Sequence, residues 1–185
     1  MSSALATLAG ALESLRIPYL IGGSLASSAH GVLRATLNVD ILAGMAAGQA
    51  DALCAALEDG WYADAEEIRR ALGAGLAFNL IHVASVGKFD VFPAVGEFHF
   101  SELARATRLE IEVSGERTVC PVATAEDIVL AKLLWNRAGG EVSERQWADI
   151  TGILEANRKP DFGYLRDWAR KLGVEALLDR AIASQ

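Results

Sequence analysis

The chain has 185 residues, of which 52% are hydrophobic and 22% are charged, and its formal net charge is −7. This length and composition suit a globular chain with a sizeable core and exclude long disorder. The acidic balance excludes an extended nucleic-acid-binding surface, because such surfaces neutralise phosphates with Lys and Arg. The two cysteines, Cys54 and Cys120, predict neither a disulfide framework nor a zinc site. We expect a cytoplasmic protein with no membrane partner, since no apolar run is long enough to span a bilayer.

The order of the predicted elements indicates the fold class. Leucines at helical spacing predict an amphipathic first helix, after which strand-like and helix-like segments alternate to about Val122. From Thr124 the pattern is helical. We therefore predict an α/β (α+β) fold, with a mixed sheet flanked by helices at 1–122 and a C-terminal helical bundle at 123–185 packed on that core. The predicted strands lie near 19–22, 39–43, 77–83, 88–92, 109–113 and 117–120, and the predicted core helices near 25–30, 49–58, 65–72 and 98–104.

A glycine turn follows the first predicted strand. Gly22 and Gly23 allow the backbone to turn tightly, and Ser24 is predicted to cap the next helix. Such a turn presents free N–H groups to an anion, although an ordinary strand-to-helix connection would have the same pattern. Arg34 follows the short helix, as either a phosphate ligand or a solvated loop residue.

Polar side chains then interrupt two apolar strands. Alternation places Asn38 and Asp40 on one face of their strand, and it places Lys88 and Asp90 on one face of a later strand. A hairpin near 83–88, with Gly87 at positive φ, would bring the later strand against the one before it. Oxygen ligands of this kind suit Mg²⁺ or Mn²⁺, whereas the alternative is a polar strand end.

The helical region contains three further candidates. Lys132 lies in a helix that is apolar nearly all round, so it points either into a cleft or past the core. Arg145 and Asp149 are four residues apart, which suits either an exposed ion pair or the wall of a cleft. The spacing of Thr124 with Asp127, and of Ser143 with Gln146, predicts helix starts.

Taken in order, these motifs resemble the nucleotidyltransferase fold of the DNA polymerase β superfamily. The resemblance extends to small prokaryotic nucleotidyltransferases of the type IV abortive-infection toxin kind, and it covers about 17–153. The residues that carry it are Gly22-Gly23-Ser24, Arg34-x-Thr36-x-Asn38-x-Asp40, Lys88-x-Asp90, Lys132, and Arg145 with Asp149.

The resemblance implies a protein that binds a nucleoside triphosphate, ATP or GTP, with Mg²⁺ or Mn²⁺. It would transfer a nucleotidyl group to an acceptor that is a protein, an RNA or a small molecule. The implied metal and catalytic residues are Asn38, Asp40 and Asp90, and the implied nucleotide-binding residues are Gly22, Gly23, Ser24, Arg34, Lys132 and Asp149.

Two alternatives remain open, because Asn38 stands where the family pattern has its first metal-binding Asp. The chain would then be a non-catalytic nucleotide-binding or regulatory module. It would otherwise be a toxin–antitoxin component whose partner is a cognate antitoxin.

Overall fold

The structure is a computed structural model that describes residues 4–32, 38–57, 59–113, 115–157 and 159–184. Arg34, a predicted phosphate ligand, lies outside the described residues. The strands are β1 (Tyr19–Ile21), β2 (Asn38–Ala43), β3 (Trp61–Tyr62), β4 (Phe78–His82), β5 (Gly87–Pro93), β6 (Thr107–Val113) and β7 (Glu116–Val122). The helices are α1 (Ala4–Ser14), α2 (Gly23–Ala29), α3 (Ala50–Ala56), α4 (Ala65–Gly73), α5 (Gly96–Arg105), α6 (Ala125–Ala138), α7 (Glu144–Ala156), α8 (Phe162–Leu172) and α9 (Glu175–Ala183).

The described strands form one mixed sheet in the order β3-β4-β5-β2-β1-β7-β6. Strands β2 and β5 are parallel, as are β1 and β7, and the other neighbouring pairs are antiparallel. The predicted mixed α/β architecture is therefore confirmed. Parallel pairing of β2 with β5 is the feature that matters for function, because it aligns two polar strand faces.

Alternation along these two strands explains which side chains reach the core. On β2, Val39 and Ile41 are buried, and on β5, Phe89 and Val91 are buried. Successive side chains point to opposite faces of a strand, so Asp40 and its neighbour on β5 face away from this layer. The hydrophobic effect thus fixes the register, since a slip by one residue would bury the carboxylates instead.

The two predicted helix starts at Thr124 and Ser143 are confirmed, and Asp161 caps the start of α8 in the same way. The side chains of Thr124, Ser143 and Asp161 accept hydrogen bonds from backbone N–H groups three residues on. No helix in the described part of the chain is both long and apolar enough to cross a membrane.

Two local predictions are wrong. Helix α2 begins at Gly23 with Gly22 as its N-cap, so Ser24 lies inside the first turn and does not cap it. In the β4–β5 hairpin the positive φ belongs to Val86, at 52°, because Gly87 already pairs in the sheet with His82. The hairpin itself is present as predicted. Strand β3, with only two residues, was not predicted because it is too short for an alternating pattern.

Candidate functional site

Two carboxylates lie side by side on adjacent parallel strands. Asp40 of β2 and Asp90 of β5 are partners in the register, as are Asn38 and Lys88. The Nζ atom of Lys88 is 2.8 Å from Oδ1 of Asp90, and Nδ2 of Asn38 donates to Oδ2 of Asp90 over 3.3 Å. The structure therefore brings together all three predicted metal-binding residues, and it adds an ammonium group next to them.

The glycine turn lies directly against Asp40. Gly23 has φ of +55°, and a Cβ atom built on it would lie 1.7 Å from Oδ2 of Asp40. The backbone N–H of Gly22 donates to the carbonyl of Asp40 over 2.9 Å, which ties the turn to β2. Only glycine meets both requirements at position 23, because any side chain would collide with the carboxylate and would disfavour the positive φ.

The N–H groups at the start of α2 face the same region. The first hydrogen bond of the helix runs from the N–H of Ala26 to the carbonyl of Gly22, so the N–H groups of Gly23, Ser24 and Leu25 have no acceptor within the helix. Ser24 is half-buried. This turn has free N–H donors of the kind that an anionic ligand next to Asp40 would need.

A cleft of about 540 Å³ connects this turn to the C-terminal helices. Gly22, Gly23, Ser24, Asp40 and Lys132 line it, whereas the other described site residues, Asn38, Asp90 and Asp149, do not. Its remaining walls come from α5, the strand ends, α6 and the start of α7. The cleft thus joins a predicted phosphate turn, one predicted metal ligand and one predicted cation.

Lys132 and Asp149 form a buried ion pair. Nζ of Lys132 is 2.7 Å from Oδ2 of Asp149, and the two residues are 8% and 4% exposed. Lys132 therefore lines the cleft, as the first of its two predicted alternatives states, and the second is wrong because its ammonium group is bound within the core and does not point past it. The alternative in which Asp149 forms an exposed pair with Arg145 is wrong, because the face of α7 that bears Asp149 packs against α6. Arg145 itself is exposed and lines the cleft.

Sequence reasoning missed an acidic side chain at another part of the cleft. Glu102 of α5 lines the cleft and is only 5% exposed. Burial, reinforced by the nearby charge of Asp127, raises the pKa of Glu102 to about 9. The only signal in the sequence was its position four residues after Phe98, which places Glu102 on the buried side of the helix.

Asp127 differs from Glu102 because it is fully enclosed by partners. The hydroxyl of Thr124 donates to it over 2.7 Å and that of Tyr164 over 2.5 Å, while Nε of Arg105 lies 3.4 Å away. Burial and the bond to Asp127 raise the pKa of Tyr164 above its usual range. This network holds α5, α6 and α8 together behind the cleft wall.

The oxygen donors of this site include those that a divalent cation requires. No group of three or more His, Cys, Asp or Glu side chains converges within the described ranges. Asp40, Asp90 and the amide oxygen of Asn38 nevertheless offer oxygen ligands, and Mg²⁺ commonly takes only one or two carboxylates and completes its shell with water and substrate phosphates. These residues therefore fit one such ion bound together with a nucleotide.

No protein-family model matches the chain, and no curated protein sequence matches it. Among solved structures, the chain is similar to the crystal structure of ANT(2'')-Ia in complex with adenylyl-2''-tobramycin, at 15% identity over 90% of this chain and 95% of that chain, with a TM-score of 0.50. A solution structure of the same antibiotic-resistance factor is 17% identical, and the match covers 98% of this chain and 92% of that chain with a TM-score of 0.46. The chain is also similar to an antigenic nucleotidyltransferase-like protein from Paracoccidioides brasiliensis. The identity is 18%, the match covers 96% of this chain and 89% of that chain, and the TM-score is 0.48. At such identities the likeness concerns the fold alone, and the chain has a nucleotidyltransferase-like fold.

Proposed function

We propose that the protein binds a nucleoside triphosphate with Mg²⁺ or Mn²⁺ and transfers its nucleotidyl group to an acceptor. The observation that carries this proposal is the contact between the glycine turn and the acid pair. Gly23 lies against Asp40, and Asp40 is aligned with Asp90. A phosphate chain held by the turn would therefore lie next to the carboxylates that hold its metal ion.

The cleft residues have distinct roles in this proposal. The N–H groups of Gly23 and Ser24 donate to the phosphates, and Asp40 and Asp90 hold the divalent ion. Lys132 has three N–H donors and uses one for Asp149, so it can direct another at the phosphates. Arg145 lines the same cleft and would stabilise the charge of the departing pyrophosphate. Arg34 is proposed for the same role from the sequence alone.

The reaction needs a proton acceptor close to the attacking group. An acceptor hydroxyl attacks the α-phosphorus, a new P–O bond forms, and the bond to pyrophosphate breaks. The carboxylate of Asp90 is proposed to accept the hydroxyl proton, because it borders the metal strand. A bound divalent ion would supply Lewis-acid stabilisation of the phosphoryl oxygens.

A small molecule is the class of acceptor that we propose. The ANT(2'')-Ia structure contains an adenylylated aminoglycoside, which shows that a protein of this fold can have such an acceptor. Here the cleft extends from Asp40 to α5 and is large enough for part of a compact acceptor beside the phosphates.

A non-catalytic nucleotide-binding module is the second candidate. Its support is that both oxygens of Asp90 already have partners, Lys88 and Asn38, and that Asn38 contributes no charge. Two divalent ions would then lack the carboxylate that usually separates them, so binding without transfer is the expected behaviour of this alternative.

Thermal unfolding with each nucleoside triphosphate, with and without Mg²⁺ or Mn²⁺, tests the proposal. The wild type should be stabilised only when nucleotide and metal are both present, and Asp40→Asn should lose that shift. Asp59→Asn is the matched control, because Asp59 is an exposed acid outside the cleft. Incubation with α-labelled nucleotide and a small-molecule extract then reports transfer.

Each result has a defined meaning. Retention of the full metal-dependent shift by Asp40→Asn would contradict the metal site. A normal shift in the wild type without any labelled product would favour the non-catalytic module, whereas labelling that needs Asp40 would favour the enzyme.

A further inference from the structure

Glu102 is an acid without a partner in the wall of the cleft. It is 5% exposed and makes no hydrogen bond or ion pair with any residue that the structure describes. Burying a carboxyl group in this way is costly unless something compensates it. Buried polar groups are normally paired, so an unpaired one requires an explanation.

The nearby cation does not provide that compensation. Arg105, one turn further along α5, directs its guanidinium at Asp127 and Glu126, at 3.4 and 3.5 Å, and lies 3.8 Å above the ring of Tyr164. Asp127 thus has a counter-ion within the core. Glu102 has no such counter-ion among the residues that the structure describes, although it borders the same network.

His99 also lines the cleft from α5. It lies three residues before Glu102, on the same side of the helix. The backbone N–H of Val95 donates to its Nδ1 over 3.0 Å, and burial lowers the pKa of His99. Burial and the charge of Asp127 favour the protonated form of Glu102. Without a ligand, this part of the cleft wall is therefore polar, and among the described residues no cation is paired with Glu102.

We propose that Glu102 binds a protonated amine of the acceptor, so that the acceptor is an amine-bearing compound. This inference rests on the proposed function, because it assigns a substrate class to the same cleft. An incoming ammonium group would supply the missing counter-ion, and Glu102 would release its proton to solvent as the pair forms. A lone carboxylate is a poor site for a divalent ion, and an anionic ligand would be repelled by the nearby Asp127.

Chain order places this contact close to the proposed chemistry. Helix α5 directly follows β5, the strand of Asp90, and Asp40 lines the same cleft as Glu102. An acceptor anchored at Glu102 would consequently share the cleft with the nucleotide. The amine would position the acceptor, so Glu102 is a binding residue and not the proton acceptor of the reaction.

Calorimetric titration of the full chain with spermidine tests the inference, at about 150 mM salt so that exposed charges are screened. Triethylene glycol is the uncharged probe of similar length, and a capped single-lysine peptide is a second amine. Glu102→Gln keeps the size of the side chain and cannot ionise. Glu97→Gln is the matched control, because Glu97 is an exposed acid of the same helix outside the cleft. Circular dichroism verifies that each variant is folded.

The wild type and Glu97→Gln should bind spermidine, and Glu102→Gln should bind it at least about tenfold more weakly, in line with the loss of a charged hydrogen bond. Titrations in buffers of different ionisation enthalpy should show release of about one proton per amine bound near pH 7, which Glu102→Gln abolishes. Affinity should rise by up to about tenfold between pH 6.5 and 7.5, because the protonated acid must ionise. The charged and titratable groups near Glu102 are Asp127, Arg105, Tyr164 and His99. Burial lowers the pKa of the His99 imidazole, and burial together with the bond to Asp127 raises the pKa of Tyr164, so both shifts move away from this pH range.

Equal spermidine affinity of the wild type and Glu102→Gln would overturn the inference, as would binding without proton release, or no saturable binding of either amine. Tighter binding of spermidine would identify a free amine as the source, and tighter binding of the peptide would identify a lysine side chain. The nucleotide-dependent thermal shift of Glu102→Gln should remain normal. Failure of amine binding with that shift intact would remove only the acceptor class and would leave the proposed nucleotide site standing.

Discussion

Replacing Lys132 by Met separates the structural role of this residue from its functional one. An apolar helix with one lysine suggests that removal of the charge costs no stability. The structure reverses this expectation, because Asp149 is 4% exposed and accepts from Nζ of Lys132 over 2.7 Å. In Lys132→Met the apolar stem remains, but a buried carboxylate loses its ammonium partner.

The size of the effect follows from the burial of both partners. Removing one member of a buried pair costs about 3–5 kcal/mol, because the other charge stays in the core. For a chain of this length each kcal/mol lowers the melting temperature by about 2–4 °C, so a fall of about 6–20 °C is expected. Combining Lys132→Met with Asp149→Asn removes both charges and should recover most of that loss.

Denaturant unfolding gives the coupling free energy between Lys132 and Asp149 when it is measured for the wild type, both single variants and the double variant. Titration of the same four proteins with nucleotide gives their nucleotide affinities. We expect nucleotide affinity to fall in Lys132→Met and to stay low in the double variant, even though stability returns. A loss below about 1 kcal/mol in Lys132→Met would refute the reasoning, since that is the range of exposed pairs. Recovery of nucleotide affinity together with stability would show that Lys132 acts only through the fold.

Two further substitutions test the glycine turn and the metal strand. Gly23→Ala should cost at least about 1 kcal/mol through backbone strain alone, and the collision with Asp40 should abolish the metal-dependent nucleotide shift in thermal unfolding. Gly22→Ala is its control, because a Cβ atom there meets nothing nearer than 3.9 Å. If Gly23→Ala keeps the stability of the wild type and its nucleotide-dependent thermal shift, the described turn is contradicted. Asn38→Asp should tighten Mn²⁺ binding in the presence of nucleotide and raise labelled transfer, measured by metal titration and product formation. Unchanged metal affinity would show that the missing carboxylate does not limit the site.

Much of the fold could be predicted because its signals are local. Strands β1, β2, β4 and β5 appear within about two residues of the predicted bounds, since their alternation or apolar content is strong. The pairing of Asp40 with Asp90 also follows from local patterns, once two strands with polar residues on one face are placed in parallel. Caps such as that of Thr124 depend on residues three apart and could be predicted equally well.

The remaining features depend on contacts that no local pattern encodes. Lys132 and Asp149 are 17 residues apart on different helices, so their pairing requires the packing of α6 on α7. Glu102 stands out because it has no partner in the described part of the chain, and only the assembled neighbours reveal this. The first turn of α2 begins at Gly23, and its neighbour Gly22 is bound to Asp40 through a tertiary hydrogen bond that no local pattern predicts.

The ion pair between Lys88 and Asp90 raises the question of whether Asp90 is available for chemistry. The side chain of Lys88 is 42% exposed and that of Asp90 is 17% exposed, so the ammonium group can move into solvent while a bound cation takes its place at the carboxylate. Asn38 is exposed as well, and rotation of its amide would turn a carbonyl oxygen toward the same place. Neither partner therefore blocks Asp90. Under the proposed function, an enzyme and a binding module would differ at this site in the charge that Asn38 lacks, because rotation of an amide provides an oxygen but no negative charge to hold a second cation.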